Sequence, residues 1–582
     1  MLLKAWQFAA ISSFLAGALA HPTERHSSVS ARQDAPVEEA PADAPVDEVA
    51  ALRDDSDRWD SPEYTLLYRS PLPIPPVKQP KLKLTNPVSG APIHYYEIEI
   101  KPFEQRVYPT LRPAKFVGYD GIAPGPTFIT PVGTETVVRF INRADKENSV
   151  HLHGSPSRAP FDGWAEDVTF PGEYKDYYWP NYQSARMLWY HDHAAHITAE
   201  NAYLGQAGVY LLHDPAEDAL GLPSGYGEFD IPIVLTSRYY NEDGTLRSTD
   251  TEDQNFWGDV IHVNGQAWPF FNVQPRKYRL RFLNAAVSRA WFLYFVRTNS
   301  PNARIPFQVI ATDAGLTERP ITTQQMYLSI AERYEIVIDF TNYRGQTIDL
   351  RNVAETNDVG DEDEYAHTLE VMRFIVSSTP VQDNSVVPAT LRHFERSNGQ
   401  YQINDVAFAD VNNRVLAKPA LGSVEIWELE NSSGGWSHPV HIHLIDFKVL
   451  RRTGGRNAVM PYESAGLKDV VWLGRGETLT VEAHYQPWTG AYMFHCHNLI
   501  HEDNDMMAVF NVTAMEEKGY VQEDFEDPLN PKWRARPYTL SDVTARTGPF
   551  SDEAITARIM ELAREEPYNR LDEIRADLGI EE

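Results

Sequence analysis

The stretch that decides the reading is residues 495–506, His495-Cys496-His497-Asn498-Leu499-Ile500-His501-Glu502-Asp503-Asn504-Asp505-Met506, preceded by the apolar run Ala491-Tyr492-Met493-Phe494. That run reads as a strand, and on a strand successive side chains point to opposite faces. His495 and His497 therefore share one face and Cys496 takes the other, so one short element reaches two separate sites. A thiolate at 496, an imidazole at 501 and a thioether at 506 follow one another at intervals of five residues. With a second imidazole from elsewhere they make the soft two-His, one-Cys set with a weak axial Met that suits blue copper. Any one of these residues alone reads as a buried Cys beside surface histidines; the joint spacing is what favours metal.

Working outward, ten of the 19 histidines fall in four clusters: His151-Leu152-His153-Gly154, His191-Asp192-His193, His438-Pro439-Val440-His441-Ile442-His443, and the 495–501 segment. Each His-x-His pair puts two imidazoles on one face of an extended chain, a geometry able to grip neighbouring metals. Between about 216 and 435 only the isolated His262, His367 and His393 occur, so the middle of the chain reads as a metal-free spacer and scaffold. His196 and His213 read as structural.

Cys496 is the sole cysteine of 582 residues, so no intrachain disulfide exists. Met1 to Ala20, with Lys4, an apolar stretch and an Ala18-Leu19-Ala20 end, reads as a cleaved secretory signal. An unpaired thiol is a liability in an exported protein, which again favours a metal thiolate over a structural cysteine. The formal net charge of −30 excludes nucleic acid and anionic membrane as partners. No later run approaches a membrane span, and the chain is expected to be secreted, extracellular and monomeric.

Residues 21–56, rich in Ala, Pro, Asp and Glu, read as a propeptide or disordered leader. From about residue 82, short alternating runs such as Ile93–Ile100, Thr136–Ile141, Lys277–Leu283, Tyr334–Phe340, Ser423–Leu429 and Glu477–Ala483 are broken by Gly, Pro, Asn and Asp. This pattern predicts an all-β chain of β-sandwiches. The length suits three domains of roughly 150 residues, divided as 57–220, 221–385 and 386–515. The tail, 516–582, is highly charged with a helical stretch at Asp552 to Glu565, and reads as a surface-wrapping extension.

The four histidine motifs, in this order, resemble those of the multicopper oxidases, over roughly residues 60–515. The Ser155-Pro156-Ser157 that follows the first motif and the Glu502–Met507 run are most similar to the fungal bilirubin oxidase group. Typical fungal laccases have Trp where this chain has Leu152, and a non-coordinating residue where it has Met506. The resemblance implies three cupredoxin-like Greek-key β-sandwich domains and four copper ions. It implies type 1 copper on His438, Cys496, His501 and Met506, with type 2 copper on His151 and His441. The type 3 pair would take His153, His191, His193, His443, His495 and His497. The trinuclear cluster then draws four ligands from each of the first and third domains, which must meet face to face.

The implied reaction is one-electron oxidation of a small organic donor, such as bilirubin, a related tetrapyrrole or a phenol, coupled to four-electron reduction of dioxygen to water. Reducing dioxygen consumes protons, and a carboxylate near the cluster is a sensible donor. Asp162 and Glu502 match acidic positions of the family; each also reads as a solvated or capping carboxylate. Trp436 reads either as a cover for the type 1 imidazole or as an ordinary core aromatic. Asn431 and Asn511 head the N-x-S/T sequons, and Asn511 is the favoured glycan site. Arg451, Arg452, Arg456 and Lys468 are candidate receivers of the donor's carboxylates. Laccase-like phenol oxidation and ferroxidase activity are the rival readings. A non-enzymatic electron-transfer cupredoxin would leave eight paired histidines without purpose.

Overall fold

The computed structural model describes residues 58–251, 255–353, 365–391, 415–431, 436–504, 506–513 and 525–569. The expected signal (1–20) and leader (21–56), His393, Ser432-Ser433 of one sequon and Asp505 lie outside the described residues. The alternating runs become strands: Pro92–Gln105, Glu135–Asn142, Lys277–Asn284, Arg333–Asp339, Ser423–Glu430 and Glu477–Tyr485. In Glu477–Tyr485 every second residue is buried and its neighbours are half-exposed, the mark of a sheet with one face against a core. Glu135–Asn142 is buried throughout. Its outer face is covered by the tail, where Phe550 packs on Ile141 and Tyr174 and the Pro549 carbonyl accepts from Arg139.

Among the described residues the strands form six sheets, two from each third of the chain, one of them extended by the tail strand Arg536–Pro537, and the architecture is three cupredoxin-like β-sandwiches. Four strands carry the site: β1 (Val150–His153), β2 (Arg186–Asp192), β3 (His438–Ile442) and β4 (Gly490–Cys496). β1 and β2 are antiparallel neighbours that put His151 opposite His191. β3 and β4 are likewise antiparallel, with His441 opposite His495 and Val440 opposite Cys496. In three motifs the second histidine of a His-x-His pair (193, 443, 497) falls one residue past the strand's end.

One hydrophobic core runs through the first and third sandwiches, from Ile98, Phe140 and Tyr190 to Trp427, Val481 and Phe510. This continuity brings the two copper-motif sheets together. The middle sandwich has its own core around Trp268, Phe282, Ile336 and Phe374. The tail is more than a surface wrap. Its helix Asp552–Arg564 sends Ile555, Ile559 and Leu562 into the shared core, beside Phe525 and Trp533. Phe525 and Trp533 pack on Phe161, one residue before Asp162. The tail therefore buttresses the turn that carries this carboxylate.

Candidate metal centre

Two groups of side chains converge where the first and third sandwiches meet. In the smaller, Cys496 Sγ lies 3.5 Å from His438 Nδ1 and 3.6 Å from His501 Nδ1, and the two nitrogens are 3.3 Å apart. Ligand atoms held about 2.0–2.3 Å from one metal sit about 3.3–3.7 Å from each other at bond angles of about 110–120°, so this triangle fits a single ion held by all three. Met506 is tied to two of the three corners through its backbone: its N–H donates to the His501 carbonyl and its carbonyl accepts from the Cys496 N–H. Trp436 stands edge-on to the His501 ring at 6.3 Å.

The larger group holds the eight remaining motif histidines, all at most 3 % exposed. Acceptor-only partners fix several tautomers. His151 Nδ1 donates to the Asp162 carbonyl at 2.5 Å and His441 Nδ1 to the Asp469 carbonyl at 2.8 Å. The Nε2 atoms left over are lone pairs that face each other at 3.4 Å. Two such lone pairs repel unless a cation lies between them. The same holds for His443 and His495. His443 Nδ1 points to Asp162 Oδ2 at 2.8 Å and His495 Nδ1 to the Cys496 carbonyl at 3.3 Å, with Glu502 Oε2 3.0 Å from the same nitrogen, and the two Nε2 atoms oppose each other at 3.3 Å. His193 Nε2 joins this pair, 3.1 Å from His495 Nε2. The third subset is His153, His191 and His497, whose ring centroids lie 5.1–5.7 Å apart. His153 Nδ1, His191 Nε2 and both nitrogens of His497 are buried with no hydrogen-bond partner among the described residues. Buried polar atoms are rarely left so, and a bound cation supplies what is missing.

Burial, reinforced by neighbouring imidazoles, holds these motif histidines in the neutral form that a metal requires. His438 falls to about 3, His193 and His495 fall to about 4, and His151, His153, His191, His441, His443 and His497 lie well below the usual histidine range. Burial pushes the Cys496 thiol up, so metal binding must release its proton. Burial also raises Asp162 well above the carboxylate range and Glu502 to about 7.

Other expected roles are not supported by the structure. Arg452 is buried in ion pairs with Glu463 and Glu477, Arg456 pairs with Glu477, and Lys468 pairs with Asp313 and Glu332. These cations answer internal carboxylates and are not available to a donor; of the four, only Arg451 is exposed. Asn431 is 4 % exposed and its amide donates to the carbonyls of Trp436 and Gly474, which opposes a glycan there. Asn511 is half-buried on the strand Met507–Val512. His262 is a core histidine bonded to Tyr240 and Gly265. The sequence reading missed Asp469 and Arg333. Neither lies in a histidine motif, although Asp469 begins the segment that pairs with β3.

A three-sandwich chain with one thiolate triangle and an eight-histidine cluster is a copper-dependent oxidase of dioxygen. Family models described as multicopper oxidase match residues 104–217 and 380–516. The chain is 60 % identical over 532 residues to the bilirubin oxidase of Albifimbria verrucaria, covering 88 % of this chain and 93 % of that protein. It is 32 % identical to the laccase of Bacillus subtilis, over 76 % of this chain and 98 % of the laccase. The solved McoA multicopper oxidase of Aquifex aeolicus superposes with a TM-score of 0.68 at 26 % identity, covering 77 % of this chain and all of that one. The chain belongs to the multicopper oxidase family.

Proposed function

We propose that this oxidase takes bilirubin or a related tetrapyrrole, with phenols as further donors. The observation that carries this reading is the 60 % identity, over most of both chains, to a protein named bilirubin oxidase. Ferroxidase activity draws little support from the acidic 502–505 run. Glu502 is buried beside His193 and His495, and Asp503 accepts from the N–H groups of Thr198 and Ala199, so neither offers a carboxylate to an external ion.

We assign His438, Cys496, His501 and Met506 as the residues that would hold type 1 copper, and His151 and His441 as those that would hold type 2 copper. The type 3 pair is assigned to His193, His443 and His495 on one side and His153, His191 and His497 on the other. Copper held by these residues would supply the redox chemistry that couples one-electron oxidation of the donor to four-electron reduction of dioxygen. Cys496 links the two sites covalently, because its peptide bonds lead directly to His495 and His497. Asp162 orients His443 and Glu502 lies 3.0 Å from His495 Nδ1; burial favours the protonated form of both carboxyls, which suits them to supply protons as dioxygen is reduced. The division into sandwiches at 57–220, 221–385 and 386–515 leaves the middle one without copper. We further read residues 1–20 as an export signal, the protein as extracellular and monomeric, and Asn511 as the glycan site. No helix among the described residues is long and apolar enough to cross a membrane.

The deciding experiment is a side-by-side measurement of oxygen uptake with bilirubin, a simple phenol and Fe(II). Bilirubin should give the highest kcat/KM; a preference for Fe(II) would overturn the donor assignment.

A further inference from the structure

All three sandwiches meet at one buried ion cluster beside the eight histidines. Arg333 begins the middle-domain strand Arg333–Asp339 and is fully buried. Its guanidinium grips Asp469 as a fork, Nη1 to Oδ1 at 2.6 Å and Nη2 to Oδ2 at 2.6 Å. Its Nε donates to the carbonyl of Met187 in β2, four residues before His191. Asp313, also from the middle domain, accepts from the backbone N–H of Arg333 at 2.7 Å and from that of Asp469 at 3.3 Å. Planar two-point pairing of this kind fixes orientation as well as charge.

Asp469 touches two adjacent ligands and sets them in opposite tautomers. Its backbone carbonyl takes the proton of His441 Nδ1, which leaves Nε2 to face His151. Its carboxylate Oδ1 takes the proton of His153 Nε2 at 3.2 Å, which leaves Nδ1 as the free, unpartnered nitrogen. The motif glycine agrees with this arrangement. Gly154 sits at φ +86°, and a Cβ there would lie 2.7 Å from Asp469 Oδ2 and 2.8 Å from Arg333 Nη2. The chain after His153 has room for the ion pair only without a side chain.

We propose that Arg333 is a positioning residue for the trinuclear centre. By fixing Asp469 it sets which nitrogen His441 and His153 present, and so makes the copper-free middle sandwich part of the metal site. The inference rests on the assignment of His441 and His153 as copper ligands. Hydrogen-bonded partners of metal-bound histidines typically contribute 10–100-fold to metal affinity or activity.

The test uses the copper-loaded full chain with Arg333→Lys, which keeps the charge and loses the fork, and Asp469→Asn, which keeps the carbonyl and one side-chain oxygen. Expected are an altered type 2 electron paramagnetic resonance signal and about 10–100-fold easier removal of trinuclear copper by a chelator. The blue absorbance and anaerobic reduction of type 1 copper should remain unchanged. An unaltered type 2 signal with wild-type chelator resistance overturns the proposal, and so does parallel loss of the blue and type 2 signals. Should Arg333→Lys fail to fold, Asp469→Asn decides by the same outcomes. Failure of the ligand assignment itself is distinguishable, because the wild-type protein would then show no type 2 signal at all.

Discussion

Replacing Asp162 by Asn changes one buried atom and removes one transferable proton. The carboxyl is 2 % exposed, its Oδ2 accepts from His443 Nδ1 at 2.8 Å, and its Oδ1 has no hydrogen-bond partner among the described residues. An asparagine of nearly the same volume can keep the acceptor toward His443 with its amide oxygen. The backbone carbonyl that orients His151 is untouched. Copper content and the fold should therefore survive. What disappears is the acid: a positioned proton donor is worth about 10²–10⁴-fold in rate, or about 3–5 kcal/mol of barrier. Steady-state oxygen uptake should fall by that factor, while bleaching of the blue absorbance by donor under anaerobic conditions keeps its wild-type rate. Turnover within about twofold of wild type, or slowed bleaching with normal reoxidation, would refute the proton-donor role.

Met506→Gln should lower the type 1 reduction potential, because a harder oxygen ligand favours Cu(II); a redox titration that finds it unchanged or raised argues against axial Met506. Arg452→Gln should take from Glu463 its buried ion-pair partner, leave Glu477 to Arg456 alone, and destabilise the protein by about 3–5 kcal/mol, read as a lowered thermal midpoint, with no selective rise in KM for bilirubin over a phenol. His262 is held at about 3 by burial, against roughly 6.5 unfolded. The neutral ring therefore supports folding above pH 6.5, and that support is lost as pH falls toward 3, at up to about 1.4 kcal/mol per pH unit. In urea unfolding of the middle domain, His262→Gln should flatten the acid-side slope by that amount, and identical slopes would contradict the assignment.

The parts of the site legible in the sequence are those whose geometry is local. His495, Cys496 and His497 are neighbours on one strand, and two-residue alternation alone separates their faces. The β-runs were legible for the same reason, since Ser423–Leu429 and Glu477–Ala483 write their periodicity in consecutive residues. Partners distant in sequence were not. Arg452 and Arg456 look like a free basic loop until Glu477, more than twenty residues on, folds back between them. Asn431 looks like an exposed sequon until its amide is seen capping Trp436 and Gly474. The charged composition of the tail hid Phe525, Trp533 and Tyr568, whose packing against Phe161, Trp488 and Tyr178 depends on contacts far apart in sequence. Arg333 carries no motif because its meaning comes from Asp469, in another sandwich.

The proposed arrangement is a thiolate-bound type 1 copper and a separate histidine-bound trinuclear cluster in one chain, joined through Cys496. It is tested most directly by copper stoichiometry and visible absorption of the wild-type protein beside Cys496→Ser. The wild type should bind four coppers per chain and be blue. The variant should fold, keep the three coppers of the histidine cluster, lose the blue colour and fail to oxidise any donor. A variant that stays blue, or a wild type that never exceeds one copper per chain, would contradict the account.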